Sequence, residues 1–506
     1  MAGIMRNIGG LHRKDFLTRY RMFSPVFKSR HLAAALALGT LCLAPVAPAP
    51  AQVNLPVLGD SISGTISTEQ EYRFGREFLR SVRRQSKVMD DPLIAEYIAS
   101  LTYKLAATSE LTDHRLSFVL IDSEVLNAFA APGGVVGVNA GLFTYAQSEG
   151  QFASVLAHEL AHISQRHYAR GIQEQRNNSI PNLAGLLASL VIMATVGGDA
   201  GQAALMTSQA MGIDNQLRFS RSNEQEADRV GLRNLYNAGF DPADMAGMFE
   251  QMLRTRSLSQ RVPEFLSTHP LDESRVADSR NRARTYPGVE YVPNPEYLLM
   301  RERVQMYYAR DLDAEIEKRR RALSQLNGAE ADAARYGIAL AELRSGQTVQ
   351  ATQSLDTLLS KEPTRITYVL LASDIAVADK DYAKAYKILE DNLRINPSNH
   401  PLTMAYATAL TKGGEFTKAA TVLEKQAQSH PDDMQLWYDL AEVQGQAGNI
   451  AKLHQARAEY FIAVGDFARA REQLNFALAM EGDRLTVARL RQRLDYIQSI
   501  ENEFYR

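Results

Sequence analysis

The sequence predicts two regions of different architecture: an α+β domain, mainly helical with a small sheet, followed by an all-α solenoid of helical repeats. Three observations carry that reading. Residues 115 to 143 hold apolar stretches broken at Pro132-Gly133-Gly134, and helical periodicity follows them. Beyond Tyr291 no strand pattern recurs and one helical segment succeeds another. The phrases LLSKEP, LRINP and QAQSHP end at Pro363, Pro397 and Pro431, each 34 residues after the last.

The chain opens on a segment unlike either region. Arg and Lys are scattered through Met1 to Arg30, LAAALALGTLCLAP follows from Leu32, and Ala49 and Ala51 occupy the small positions of an A-x-A cleavage site. Residues 1–51 are therefore expected to be a signal peptide, with Met22 an alternative start whose MFSPVFKSR makes a compact basic leader. The apolar core, about 15 residues and cut by Pro45, Pro48 and Pro50, is shorter than the roughly 20 that a spanning helix needs. Cys42, the only cysteine, lies inside this core, after a Leu41 that suits a lipoprotein signal poorly. A mature chain without cysteine has no disulfide, cysteine nucleophile or cysteine metal ligand.

The 506 residues leave room for two or three domains, and 56 Lys plus Arg against 58 Asp plus Glu remove the electrostatic case for nucleic acid as a partner. We expect the first domain over 52–290. RLSFVLIDS at 115–123 alternates as a strand, and NAFAAPGGVVGVNAGLF at 127–143 reads as two short strands joined by a glycine-rich turn. Phe152, Val155, Leu156, Leu160 and Ile163 then mark the buried face of a helix. The run NLAGLLASLVIMATVGG at 182–198 is the most apolar of the mature chain. It reads as a buried helix, with a membrane-facing or substrate-facing hairpin as the alternative.

Residues 291–506 form the second domain. Small residues recur on schedule, with Gly337, Ala341 and Ala351 in one unit, Ala372 and Ala385 in the next, then Gly414 and Ala419. They let paired helices approach closely, while the prolines stop each second helix. The pattern is similar to the tetratricopeptide repeat. A further unit runs from Asp433 to Gly448, the last, YFIAVGDFARAREQLNFALAM, carries Gly465, Phe467 and Ala470, and Met300 to Asn327 reads as a degenerate first unit.

The chemistry lies in HELAHISQRH, His158 to His167. His158 and His162 stand one turn apart on one helical face, so both imidazoles can reach one zinc ion, and Glu159 beside them can take a proton from water at the metal. A catalytic zinc wants a third protein ligand. SRSNEQEADRVG offers Glu224, with Asp228 one turn on as a partner for the outer N–H of a ligating histidine. Glu226 reads as a surface charge. His167, about 140° round from the ligand face, is expected at the surface or in an outer shell. His114, His400, His430 and His454 show no metal spacing.

HELAH with EQEAD downstream resembles the M48 family of zinc metallopeptidases, a zincin-like fold. The resemblance implies His158, His162 and Glu224 as ligands of one Zn2+, Glu159 as the catalytic base and Asp228 as the supporting carboxylate. It extends to FLSTHPLDESR, where the family's Thr-His-Pro loop lies over the metal. His269 is then expected as a fourth ligand that latches the site off, with transition-state stabilisation or loop packing as its other roles.

A secreted M48 domain with tetratricopeptide repeats is similar to periplasmic proteases of Gram-negative bacteria that act on outer-membrane proteins. The implied function is a zinc endopeptidase that degrades misfolded or stalled β-barrel proteins and promotes their assembly. Its implied partners are those clients, the barrel assembly machinery through the repeats, and the outer membrane by peripheral contact. A chaperone or adaptor with seldom-used proteolysis is the alternative. Substrate is expected to pair with the sheet edge near Asn127 to Val138.

Overall fold

The computed structural model describes residues 66–176, 220–258, 264–290, 292 and 294–504. The expected signal peptide and the 182–198 run lie outside them.

The first described helix, α1 (Thr68–Gln85), starts at a capping box. The Ser67 side chain accepts from Gln70 N–H while the Gln70 side chain accepts from Ser67 N–H, and Arg83 and Arg84 complement the dipole at its other end. Helix α2 (Pro92–Ala106) is capped by Asp91 and begins on proline, whose missing N–H costs nothing there. Three strands follow, β1 (Ser117–Ile121), β2 (Ala128–Ala131) and β3 (Val135–Asn139), in the order β1-β3-β2. β3 runs parallel to β1 and antiparallel to β2, and VVGVN is wholly buried, the composition expected of a strand covered on both faces.

The β2-β3 turn explains its glycines. Gly133 and Gly134 adopt φ of 74° and 78°, and a Cβ on Gly133 would lie 2.3 Å from the Glu71 carbonyl oxygen. The turn therefore seats directly on α1. Short α3 (Leu142–Tyr145) leads into α4 (Glu149–Ser164), capped by Ser148 and buried almost continuously from Phe152 to His162. Helix α5 (His167–Arg176) is set off by Arg166 at φ 51°. Helices α6 (Arg221–Asn237), α7 (Ala243–Leu258), α8 (Glu264–Thr268) and α9 (Glu273–Ala283) follow among the described residues of the region.

From Pro295 the chain is helix pairs. First helices begin at Ile366, His400 and Met434, and second helices at Thr348, Tyr382, Phe416 and Ile450, both series advancing by 34 residues as the prolines predicted. The degenerate first unit is the pair Pro295–Tyr308 and Leu312–Ala322.

The hydrophobic core does not stop where the second region begins. Tyr297, 1% exposed, packs with Tyr97, Phe143 and Phe152, and one cluster continues from α2 to Ala409. Arg303 reaches back to Asp91 at 2.5 Å. The far end returns as well: Arg76 pairs with Asp432 at 2.6 Å, Arg84 donates to the Gly465 carbonyl, and Phe504 packs against the α1 cluster. The solenoid thus holds the first region at both of its ends.

Candidate metal centre

Helix α4 delivers His158 and His162 to one face, both rings buried, with their Nε2 atoms 3.1 Å apart. Helix α6 lies close along α4, because Ala227 is small and a Cβ on Gly231 would already stand 3.0 Å from the Ala157 carbonyl. That closeness brings in Glu224. Its Oε2 is 3.6 Å from His158 Nε2 and its Oε1 is 3.5 Å from His162 Nε2. His269, just beyond α8, points Nδ1 into the same space, 3.0 Å from Glu224 Oε1 and 3.4 Å from His158 Nε2. Phe265 stacks on its ring at 4.6 Å, while Phe265 N–H donates to Leu126 O ahead of β2 and ties the loop to the sheet.

The four residues fit a metal. Their donor atoms all lie within 4.8 Å of one another. Zinc–ligand bonds near 2.0–2.1 Å in a tetrahedron put ligand atoms about 3.3 Å apart, and the closest separations here bracket that value. Charge agrees. Buried Glu224 and Asp228 share one buried guanidinium, Arg275, and the negative charge left over favours a cation at the cluster.

The surrounding groups set protonation. Burial disfavours a charged His158, but the Asp228 and Glu224 carboxylates outweigh burial and raise its pKa to about 10. Burial and neighbouring His158 hold His162 well below the usual histidine range. Burial pushes the Glu159 carboxyl up, against His269 and His158, and Ala130 N–H of β2 donates to it. His269 Nε2 lies 3.5 Å from Glu159 Oε1. Asp228 Oδ1 lies 3.1 Å from His158 Nδ1, the outer nitrogen of that ring.

His167 takes the outer-shell place of the two expected for it, buried with Nδ1 2.9 Å from His162 Nδ1. Two details depart from expectation. Glu226 is one-third exposed and paired with both His167 and Arg170. The expected substrate edge shortens, since β3 is flanked on both sides and, among the described residues, β2 presents the edge beside Glu159. His400 packs on His430 with ring centroids 4.2 Å apart, as ordinary packing predicts. Arg275 ends the stretch FLSTHPLDESR, yet no period or spacing announces it as a buried arginine.

Comparison with known proteins agrees with this arrangement. Residues 92–283 match Peptidase family M48 and residues 376–443 match the tetratricopeptide repeat. A Vibrio cholerae relative is 35% identical over 85% of this chain and 90% of its own length. The beta-barrel assembly-enhancing protease of Escherichia coli K12 is 32% identical over 94% of this chain and 98% of its own. This chain belongs to that protease family. The mitochondrial metalloendopeptidase OMA1 of Arabidopsis thaliana is 30% identical over 38% of this chain and 36% of its own length. As an M48 member the chain carries a zinc metallopeptidase domain, and its His/His/Glu/His cluster suits a single zinc ion.

Proposed function

We propose that the chain is a periplasmic zinc endopeptidase that degrades misfolded or stalled outer-membrane β-barrel proteins and promotes their assembly, with residues 52–290 as the peptidase domain and 291–506 as the repeats. The observation that carries this reading is the position of Glu159: buried, held by Ala130 N–H and one residue along the helix from the first ligand of the cluster. The likeness to beta-barrel assembly-enhancing proteases over nearly the whole chain supports the client class.

His158, His162 and Glu224 would hold the zinc, which when bound supplies a positive centre that acidifies water and polarises a substrate carbonyl. Glu159 accepts a proton from the attacking water and passes it to the leaving amine; a carboxyl pushed up by burial is suited to carrying that proton. Asp228 holds the outer nitrogen of His158 and so its tautomer. The β2 edge lies beside Glu159, where an extended client strand would pair with it, and unpaired barrel strands are of that kind. His269, with Nδ1 3.0 Å from Glu224 Oε1, would serve as a fourth ligand and close the site until its loop moves.

The closed position of His269 also favours a second reading, in which the protein serves mainly as a chaperone or adaptor of barrel assembly through its repeats. One experiment separates the two. The mature chain, E159Q and H269A are assayed for zinc content and for cleavage of an unfolded outer-membrane barrel. We expect H269A to cleave faster than wild type and E159Q to retain zinc but stay inert. If H269A is no faster, the latch fails; if wild type and H269A are both inert with zinc bound, the adaptor reading stands.

A further inference from the structure

The two histidines of the cluster are backed differently. His158 turns its outer nitrogen to a carboxylate, Asp228, whereas His162 turns its outer nitrogen to another imidazole. That imidazole is His167, only five residues along the chain. On one uninterrupted helix it would point about 140° away from His162. Helix α4 instead ends at Ser164, Arg166 takes φ 51°, and α5 starts afresh at His167. The break carries the His167 ring back over His162, with centroids 4.7 Å apart and planes at 77°. Arg166 is not loose: its Nη2 donates to Ile66 O at 2.7 Å and its Nε lies 3.4 Å from Glu71 of α1.

Proton positions along the chain of contacts follow from geometry. His162 Nε2 faces the cluster, so as a ligand it bears no hydrogen and the ring carries its hydrogen on Nδ1. The atom 2.9 Å away is His167 Nδ1, which must then accept. A neutral His167 accepting at Nδ1 carries its own hydrogen on Nε2, and Glu226 Oε2 lies 3.2 Å from that nitrogen. Arg170 Nη2 fixes the carboxylate in turn at 2.6 Å. Each donor in the series thus meets an acceptor.

We propose that His167 is a positioning residue for His162, fixing the tautomer and tilt of that ligand through a series His162–His167–Glu226–Arg170 that the left-handed Arg166 brings together. The proposal rests on the reading of His162 as a zinc ligand. A ligating histidine needs its outer N–H satisfied, and loss of such a partner typically weakens metal binding by about 10- to 100-fold. Packing alone predicts something else, since a phenyl ring fills the same space without accepting a hydrogen.

The test measures zinc affinity of the full mature chain by competition with a chromogenic chelator, alongside far-UV circular dichroism of the zinc-free protein and the visible spectrum of the cobalt-loaded one. Wild type, H162A, H167F, H167N and E226Q are compared. We expect H167F to fold, to bind zinc about 10- to 100-fold more weakly and to shift the cobalt bands. H167N, whose amide oxygen can sit near the Nδ1 position, should recover most of that loss. E226Q should weaken binding less than H167F does. Equal affinity of H167F and wild type overturns the proposal, and so does an equal loss in H167F and H167N, which marks packing. If H167F does not fold, E226Q decides: unchanged affinity and unchanged cobalt bands in that variant overturn it. Failure of the underlying reading looks different, because wild type would then bind no zinc or H162A would bind it as tightly.

Discussion

Arg275 and Asp228 face each other through two parallel hydrogen bonds, Nε to Oδ2 and Nη2 to Oδ1, both 2.7 Å, with the side chains only 4% and 5% exposed. The third nitrogen of the same guanidinium, Nη1, donates to Pro270 O beside His269 and lies 2.8 Å from Glu224 Oε2. One arginine therefore holds the α6 carboxylates and the His269 loop together. Burial pushes the Asp228 carboxyl up, but Arg275 and His158 more than offset it and hold it below its usual value.

Lysine cannot reproduce that fork, because its ammonium is a point charge that satisfies one partner at a time. Breaking a buried pair by removing one member typically costs about 3–5 kcal/mol, and R275K, which keeps the charge, should cost about half of that. Urea unfolding of the zinc-free protein measures it. A loss below about 0.5 kcal/mol would mean the fork contributes no more than a surface ion pair.

Asp244 offers a pH dependence away from the metal centre. It accepts from Ser148 Oγ at 2.8 Å, at the start of the helix that carries the two histidines. Burial pushes its carboxyl up, opposed by Ser148 and helped by nearby Asp241. A carboxyl whose folded pKa is raised binds its proton more tightly in the fold, so its contribution is present at acid pH and is lost as pH rises through the folded pKa. D244N keeps the acceptor and never ionises. Its melting temperature relative to wild type should rise between pH 4 and pH 7, and a difference that is flat or falls with pH would contradict the sign.

The repeat turns contain an exception to their own rule. Gly346, Gly414 and Gly448 adopt φ of 77°, 84° and 78°, and at the same 34-residue spacing Lys380 adopts 61°. The left-handed conformation costs a non-glycine residue roughly 1–2 kcal/mol, and glycine gives back about 0.5–1 kcal/mol through its freer unfolded chain. K380G should therefore gain about 0.5 kcal/mol, seen as a melting temperature higher by a degree or two, whereas K380A should gain nothing. Equal gains in both variants would remove strain as the cause.

What the sequence disclosed, and what it hid, follows from range. The turns and helix pairs recur every 34 residues, and HELAH and EQEAD each lie within one or two helical turns, so local spacing places their side chains. Spacing left His167 between the surface and an outer shell because it assumes a continuous helix, and one left-handed residue at Arg166 cancels that assumption and sets the outer-shell place. Arg275 and the central position of β3 stayed hidden for another reason. Both depend on which distant segments pack together, and a residue alphabet with period 2 or 3.6 carries no record of that. The return of the solenoid to α1 is of the same kind: small angles between successive helix pairs add up, and no single pair betrays the sum.

That return is the last feature open to a direct test. Arg76 and Asp432 form an ion pair, but Asp432 is 68% exposed, so its contribution is at most about 1 kcal/mol. Arg84 to the Gly465 carbonyl is better sheltered, and a Cβ on Gly465 would lie 3.1 Å from the Arg80 Cβ. Gly465 also adopts φ 72°, so G465A both strains the turn and presses α1 away. R76A should leave hydrogen exchange nearly unchanged. G465A should speed exchange in 68–85 and 466–504 together and leave 400–446 protected, because those helices are held by their own core. Faster exchange in 466–504 with α1 unchanged would show that the contact does not couple the two regions.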